Sequence, residues 1–172
     1  MSNTHTTLLL ARHGQTIDNE RHIMQGQTPG RLNATGRQQA EELAQRLAQT
    51  HIDAFVSSDL TRAIDTCAAV AHPRHMPIDT TPLLRERDWG SFTGRYIPDL
   101  KDAPWTNDIE TNDAMRQRAR LFLQYIATHY AGLTVLAVGH GIINKAIQSV
   151  FYNKPMNEIA PMQNAEVRTL VL

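Results

Sequence analysis

Hydrophobic and polar positions along the chain fall into two alternating kinds of segment. Short, mainly apolar runs of strand length lie at residues 6–11, 54–56 and 133–138, a further strand is predicted at residues 165–172, and Ile78 marks a short one. Between these runs, apolar residues recur every three or four positions, which is the period of a helix with one buried face. The pattern therefore predicts strands that alternate with helices.

Four helices are predicted from this period and from helix-start signals. One begins at the turn of residues 33–36, and a second follows Ser58 and Asp59, either of which can cap its first turn. The third covers residues 113–130, and the fourth follows Gly141. Strands that alternate with helices, without a repeat or a linker, predict one α/β domain with a mainly parallel sheet covered on both sides.

Polar residues stand where three of the predicted strands end. Arg12 and His13 follow the first strand, Ser57 and Ser58 end the second, and His140 follows the run at 133–138. In a parallel sheet the ligand site lies beyond the carboxyl ends of the strands, so these segments form the candidate site. Each of the two histidines is followed by a glycine, which leaves room for a ligand to approach the backbone.

Two arginines near these strand ends favour a phosphate ligand. A guanidinium group is a planar fork that binds phosphate oxygens in pairs. Arg62 lies in the first turn of the helix after the second strand, where an arginine by itself is typical of a solvated surface. Taken with Arg12 and the two histidines, it favours a phosphate pocket.

Glu86 is open to two interpretations. It lies between Arg85 and Arg87, where an exposed carboxylate paired with either arginine is the common arrangement. Beyond these arginines, apolar residues 83–84 precede it and Trp89 follows it. A carboxyl group near the pocket would serve as the proton donor to a leaving alkoxide. From these residues alone, the surface ion pair ranks first.

Composition narrows the function. Acidic and basic residues number 17 each, so the net charge gives no reason to expect binding to nucleic acid or to an anionic membrane. The single cysteine, Cys67, permits no disulfide within the chain, which fits a reducing compartment. The apolar run at residues 8–11 is too short for a signal peptide or a membrane span, so we expect a cytoplasmic protein.

The sequence signals for metals and other cofactors are weak, and we expect the protein to bind neither a metal nor another cofactor. His72 and His75 lie near each other without a set of carboxylates or thiolates beside them. The chain has no P-loop pattern and no G-x-G-x-x-G pattern. Ser57 and Ser58 lie outside a G-x-S-x-G elbow, which disfavours a serine hydrolase.

These residues resemble the signatures of the histidine phosphatase superfamily, in its phosphoglycerate-mutase-like branch. The matching segments are residues 9–16 with Asn19, residues 35–40, residues 57–63 with Thr66, residues 84–86 with Gly90, and residues 138–141. The resemblance implies a three-layer α/β/α sandwich with a mainly parallel central sheet, formed by residues 1–172 as a single domain. It also implies a small phosphorylated substrate, and it leaves a homodimer open.

The resemblance further implies a role for each candidate residue. His13 would be the nucleophile that carries the phosphoryl group, and Glu86 would be the general acid and then the base for water. The phosphoryl oxygens would be held by Arg12, Arg62, Asn19 and His140. The substrate would also be touched by Gln25, Gly26 and Gly141. A histidine attacks only when it is neutral, and neighbouring arginines favour that form.

The chain departs from the family pattern around the pocket. Residues 27–33 replace the common sequence of that loop, Thr93 stands where glutamate is common, and Lys145 stands where arginine is common. The segment 95–112, which forms a lid near the substrate in the family, is short. A short lid admits water, so hydrolysis of small phosphate monoesters ranks above phosphoglycerate mutase activity. A non-catalytic phospho-ligand binding protein is a third alternative, which the intact catalytic set argues against.

The lid segment 95–112 is itself open to two interpretations. Either Tyr96 and Trp105 pack against the body of the protein as part of a surface loop, or the segment selects substrates through Lys101 and Trp105. Loops at strand ends commonly determine which substrate binds, while the catalytic residues beneath them stay the same. This is the basis of the second interpretation.

Overall fold

The computed structural model describes residues 5–172 and contains, within them, five strands and five α-helices. The strands are β1 (Thr7–Arg12), β2 (Ala54–Ser58), β3 (Asp79–Thr81), β4 (Thr134–Gly139) and β5 (Val167–Val171). The helices are α1 (Ile17–Glu20), α2 (Ala34–Arg46), α3 (Thr61–Ala71), α4 (Asn112–His129) and α5 (Gly141–Phe151). No helix of the described residues has both the length and the apolar character needed to cross a membrane.

The five strands form one sheet in the order β3-β2-β4-β1-β5. The pairs β2–β3, β2–β4 and β1–β4 are parallel, and only β5 runs antiparallel, along β1. The predicted α/β fold with a mainly parallel sheet is therefore confirmed. The short strand expected near Ile78 begins one residue later, at Asp79.

Alternate residues of β1 point to opposite faces of the sheet, as the pleat of a strand requires. Leu8 and Leu10 pack with residues of α4 and α5, whereas Leu9 and Ala11 pack with residues of α2 and α3. All four side chains are buried, which explains why the strand is a continuous apolar run rather than an alternating one. The resulting layers are helix, sheet and helix.

The strand order brings the three predicted site segments together. β2, β4 and β1 are neighbours, and their register sets Arg12 beside Gly139. Ser58 ends β2 at the same edge of the sheet. His13 and His140, which directly follow β1 and β4, therefore lie next to each other.

The start of α3 differs from the prediction. Leu60 occupies the N-cap position, and no side chain caps the helix. Ser58 Oγ accepts a hydrogen bond from the amide of Leu60 at 3.1 Å, one residue before the helix. Asp59 instead forms an ion pair with Arg85 at 2.6 Å. Neither predicted cap is present, because Ser58 accepts from an amide before the helix and Asp59 pairs with Arg85.

Candidate active site

A cavity of about 300 Å³ opens at the carboxyl edge of the sheet. The predicted site residues that line it are Arg12, His13, Asn19, Gln25, Gly26, Arg62, Glu86 and Gly141. The remaining predicted residue, His140, is fully buried, and the centre of its ring lies 5.1 Å from that of His13. The predicted site residues, which are distant in sequence, thus lie in or next to one cavity.

His13 is held in one tautomer by the backbone. Its Nδ1 lies 2.7 Å from the carbonyl oxygen of Gly14, which can only accept, so Nδ1 carries the proton and Nε2 has the lone pair. Burial lowers the pKa of His13 well below its ordinary value, and the charges of Arg62 and Arg12 lower it further. The ring is therefore neutral at pH 7, with Nε2 as its nucleophilic atom.

The turn after His13 is fixed by close packing. A Cβ added at Gly14 would lie 2.5 Å from the carbonyl oxygen of Gly36, in the first turn of α2. The amide of Gly14 donates to Thr66 Oγ1 on α3 at 3.0 Å. The backbone that supports the His13 ring is thus clamped between two helices, and this close approach admits only glycine at position 14.

His140 is oriented by a hydroxyl group from the neighbouring strand. Its Nε2 lies 2.8 Å from Ser58 Oγ. That hydroxyl accepts a hydrogen bond from the Leu60 amide and has no other acceptor among the described residues, so it donates its hydrogen to Nε2. Burial, followed by the charge of Arg62, lowers the pKa of His140 well below its ordinary value. Neutral His140 then carries its proton on Nδ1, which is buried without a hydrogen-bond partner among residues 5–172.

Arg12 is anchored through one nitrogen and keeps others available. One terminal nitrogen donates to the carbonyl oxygen of Met162 at 2.7 Å, whereas the buried Nε has no partner in the described part of the chain. Gly141 lies against this guanidinium, since a Cβ added there would be 3.6 Å from its central carbon. Burial lowers the pKa of Arg12, and the charges of Glu86 and Glu166 oppose that effect. The group stays cationic at neutral pH.

Arg62 reaches the cavity from the first turn of α3 and is only 1% exposed. Its guanidinium donates to the carbonyl oxygens of Gly26 at 2.8 Å and Pro29 at 3.3 Å, and to that of Thr28. Burial lowers its pKa to about 10, so it also remains cationic at pH 7. Arg62 is therefore a buried cation at the cavity and not a solvated helix residue.

Asn19 and Gln25 are both placed by Thr16. In the capping box of α1, Thr16 Oγ1 accepts from the amide of Asn19, and Asn19 Oδ1 accepts from the amide of Thr16, both at 3.0 Å. The Thr16 hydroxyl donates to Gln25 Oε1 at 2.9 Å. Because both side-chain oxygens are engaged, the two amide NH₂ groups are the parts left for a ligand. α1 was not predicted, since four residues are too few to show a period.

Glu86 faces the N-terminus of α5. Its carboxylate accepts hydrogen bonds from the backbone amides of Arg87 at 2.8 Å and of Ile142 at 3.1 and 3.2 Å. The positive end of the helix dipole stabilises a carboxylate at this position. Arg85 pairs with Asp59 instead, so the interpretation of Glu86 as a surface ion-pair partner was wrong.

Arg118, on α4, binds the backbone of the segment that carries Glu86. The Arg118 guanidinium donates to the carbonyl oxygens of Leu83 at 3.1 Å and Glu86 at 3.3 Å, and also to that of Arg85. It forms an ion pair with Glu110 at 2.7 Å. Sequence analysis gave Arg118 no role, because the partners that connect it to the Glu86 segment are backbone atoms more than 30 residues away.

The segment 95–112 contributes one residue, Ile97, to the lining of the cavity. Lys101 and Trp105 do not line it. Trp105 lies edge-on against Trp89, with 5.4 Å between ring centres, and is 56% exposed. Lys101 and Trp105 thus lie outside the cavity, and Trp105 packs on Trp89 as the surface-loop interpretation predicts.

Several residues outside the predicted set complete the walls. The apolar ones are Ile23, Met24, Trp89, Ile97, Ile142, Pro161 and Met162. Lys145, noted in the sequence only as a departure from the family pattern, is half-buried and also lines the cavity. Within residues 5–172, no three or more histidines, cysteines and acidic residues are grouped so as to hold a metal ion.

Similar proteins share this fold. The family model of the histidine phosphatase superfamily (branch 1) matches residues 8–172. The chain is 34% identical over 159 residues to a metal-independent phosphoserine phosphatase of Arabidopsis thaliana, a match that covers 83% of this chain and 67% of that protein. Among solved structures, Bacillus stearothermophilus YhfR superposes with a TM-score of 0.89 at 29% identity, over 95% of this chain and 90% of the other.

Other similar proteins differ in length or in name. The chain is 41% identical over 95 residues to "Probable phosphatase C1687.21" of Schizosaccharomyces pombe, which is 55% of this chain but only 46% of that relative. Proteins named as phosphoglycerate mutases are also among the matches.

Proposed function

The chain belongs to the histidine phosphatase superfamily, and from this membership we propose that it hydrolyses phosphate monoesters of small metabolites through a phosphohistidine on His13. The observation that carries the proposal is the state of His13. Its Nδ1 donates to the Gly14 carbonyl, so a neutral ring has Nε2 as its nucleophilic atom in a cavity that two cationic arginines also line. A binding protein for phosphorylated ligands has no need of such a nucleophile.

In the first step, His13 Nε2 attacks phosphorus and the bond to the ester oxygen breaks. Glu86 donates a proton to the departing alkoxide. Arg12 and Arg62 balance the charge that develops on the phosphoryl oxygens. The Nδ1–H of His140 has no protein acceptor among the described residues, so a phosphoryl oxygen would supply the missing one.

In the second step, water attacks the phosphohistidine. The Glu86 carboxylate takes a proton from this water, the bond between Nε2 and phosphorus breaks, and inorganic phosphate leaves. Covalent capture divides one difficult hydrolysis into two easier displacements. The arginines supply the positive charge throughout, so the proposed mechanism requires no metal ion. The similar phosphoserine phosphatase of Arabidopsis is named as metal-independent.

Phosphoglycerate mutase activity is the second candidate, because proteins of that name are among the relatives. A mutase must keep water from its phosphohistidine until the group is transferred back. Here Ile97 is the one residue of the segment 95–112 that lines the cavity, and it is itself 43% exposed. This open arrangement favours hydrolysis.

The size of the cavity bears on the substrate, and the state of the single thiol bears on the cellular location of the protein. A cavity of about 300 Å³ suits a small phosphorylated metabolite rather than a folded protein surface. The one thiol, on Cys67, is free and buried, which is in keeping with the proposed cytoplasmic location.

Two assays run side by side test the function. Release of phosphate from p-nitrophenyl phosphate and phosphoserine is measured with and without a chelator, and interconversion of phosphoglycerate isomers is measured with the same enzyme. The proposal requires phosphate release that survives the chelator and exceeds isomer exchange. Isomer exchange much faster than phosphate release would establish the mutase, and loss of activity in chelator would refute the metal-independent mechanism.

A further inference from the structure

A single side-chain hydrogen bond anchors the guanidinium group of Arg12 in the described part of the chain. One terminal nitrogen donates to the carbonyl oxygen of Met162 at 2.7 Å, whereas the buried Nε has no partner there. Met162 belongs to residues 160–162, an irregular segment between α5 and β5 that we call the strap. Pro161 and Met162 line the cavity. The position of Arg12 therefore depends on what holds the strap.

Arg168, on β5, binds the strap through its backbone. Its guanidinium donates to the carbonyl oxygen of Ala160 at 2.9 Å and to that of Pro161 at 3.1 Å. A further hydrogen bond, to Gln148 Oε1 at 2.9 Å, connects the same group to α5. Because a guanidinium is a rigid planar fork, these bonds fix the strap relative to both β5 and α5. Arg168 itself does not line the cavity.

The buried side chain of Met162 is held by the same helix. Its sulfur lies 3.5 Å from Gln148 Nε2 and 3.6 Å from Asn144 Nδ2. Asn144 Nδ2 also donates to the carbonyl oxygen of Ala11 at 3.0 Å, directly before Arg12. Gln148 thus contacts both Arg168 and the residue that anchors the catalytic arginine. These contacts join the strap, α5 and the end of β1.

The charge of Arg168 is matched within the protein. In the register of β1 and β5, Arg168 pairs with Leu10, and Arg12 lies two residues further along β1. Both arginine side chains therefore leave the same face of the sheet. Glu166 forms an ion pair with Arg168 Nε at 2.8 Å. Since Arg168 is paired and lies outside the cavity lining, its connection to the site runs through the strap and not through its charge.

We infer that Arg168 is a positioning residue for Arg12, and that it acts through its hydrogen bonds to the strap. The inference rests on the proposed role of Arg12 in binding the phosphoryl group. Hydrogen bonds from a guanidinium to phosphate oxygens depend on direction as well as distance. A strap released from Arg168 would let the anchor of Arg12 shift, which weakens the binding of every phosphoryl group whatever its leaving group.

Inorganic phosphate, which binds without turnover, is the probe for this inference. Its dissociation constant is measured by phosphorus-31 NMR titration, and urea unfolding checks that each variant is folded. We expect Arg168→Met to raise this constant about tenfold, the lower end of the usual effect of losing an orienting partner. KM for p-nitrophenyl phosphate and for phosphoserine should rise by equal factors.

Two further variants separate positioning from charge and from folding. Arg168→Lys keeps the positive charge but not the planar fork, so it should lose most of the same affinity. Arg120→Met, at an exposed position of α4, should bind phosphate as the wild type does. A merely structural role would lower the free energy of unfolding of Arg168→Met and leave the phosphate affinity of the folded protein unchanged, which would overturn the inference.

A double-mutant cycle assigns the effect to Arg12. Arg168→Met is also made in an Arg12→Ala background, in which the anchored guanidinium is gone. We expect its effect on phosphate binding to shrink there to less than about twofold, because no group is left to position. An equal loss in both backgrounds would show the inference to be wrong and leave the phosphatase standing. A wild type that binds no phosphate would instead overturn the proposed function, and this inference with it.

Discussion

Ser58 Oγ lies 2.8 Å from Nε2 of His140, across the boundary between two parallel strands. The Ser58 hydroxyl accepts a hydrogen bond from the Leu60 amide and has no acceptor other than His140 Nε2 within residues 5–172, so it donates its own hydrogen to the histidine. The hydroxyl thus selects the tautomer of His140 that has a proton on Nδ1. Ser58 is buried and does not line the cavity, yet it determines which ring nitrogen of His140 carries the proton.

Replacement of Ser58 tests this relationship. We expect Ser58→Ala to lower kcat by about 10–100-fold, the usual effect of losing a group that orients a catalytic side chain. Ser57→Ala is the matched control, because Ser57 is equally buried but donates to the Ser58 carbonyl and not to His140. Nitrogen-15 NMR of the His140 ring should show the tautomer change in Ser58→Ala only. An unchanged tautomer with an unchanged kcat would show that the hydroxyl has no such role.

Arg118 should affect catalysis through the position of Glu86. We expect Arg118→Gln to lower kcat/KM about tenfold or more for alkyl phosphates, whose leaving groups need a proton, and much less for p-nitrophenyl phosphate, whose leaving group does not. Arg120→Gln, on an exposed position of the same helix, is the control. A merely structural role would lower both rates alike, so an equal loss for the two substrates would argue against positioning.

Ile97, and not Lys101 or Trp105, should influence substrate choice from the segment 95–112. Ile97→Ala removes part of the cavity wall, so the ranking of kcat/KM across a panel of substrates should change several-fold. Lys101→Ala should leave the ranking as in the wild type, because Lys101 does not line the cavity. Rankings that respond to Lys101→Ala and not to Ile97→Ala would contradict the observed geometry.

The sequence predicted the functional residues at the strand ends, but it did not predict the tertiary contacts that orient their side chains. His13 and His140 were found because each follows a continuous apolar run, and parallel strands end at a common edge. Glu86 was ambiguous, since it lies in a stretch with no hydrophobic period. Ser58 was found as a strand end but its bond to His140, more than 80 residues away, is a tertiary contact that no local pattern reveals.

The buried neutral histidines should make the fold acid-sensitive. The pKa values of His13 and His140 are lowered in the folded protein, mainly by burial, so the unfolded chain binds protons that the native state rejects. Stability should therefore fall as pH drops below the unfolded histidine pKa near ~6.5, by up to about 1.4 kcal/mol per pH unit for each histidine.

Urea unfolding at pH 7.5 and at pH 5.5 measures this effect. The loss of unfolding free energy between the two pH values should be smaller in His13→Asn than in the wild type. His129→Asn, which removes an exposed histidine, should behave as the wild type does. Equal losses in His13→Asn and the wild type would mean that His13 is not held neutral by the fold.

The most direct test of the account is to trap the phosphorylated enzyme. The wild type is mixed with phosphorus-32-labelled substrate, quenched in base within one turnover, and digested so that the labelled atom can be mapped. We predict an acid-labile, base-stable label on Nε2 of His13, formed and lost at rates compatible with turnover, and no label in His13→Ala, which should retain the fold. Phosphate release by the wild type with no labelled intermediate, or a label on another residue, would contradict the phosphohistidine mechanism.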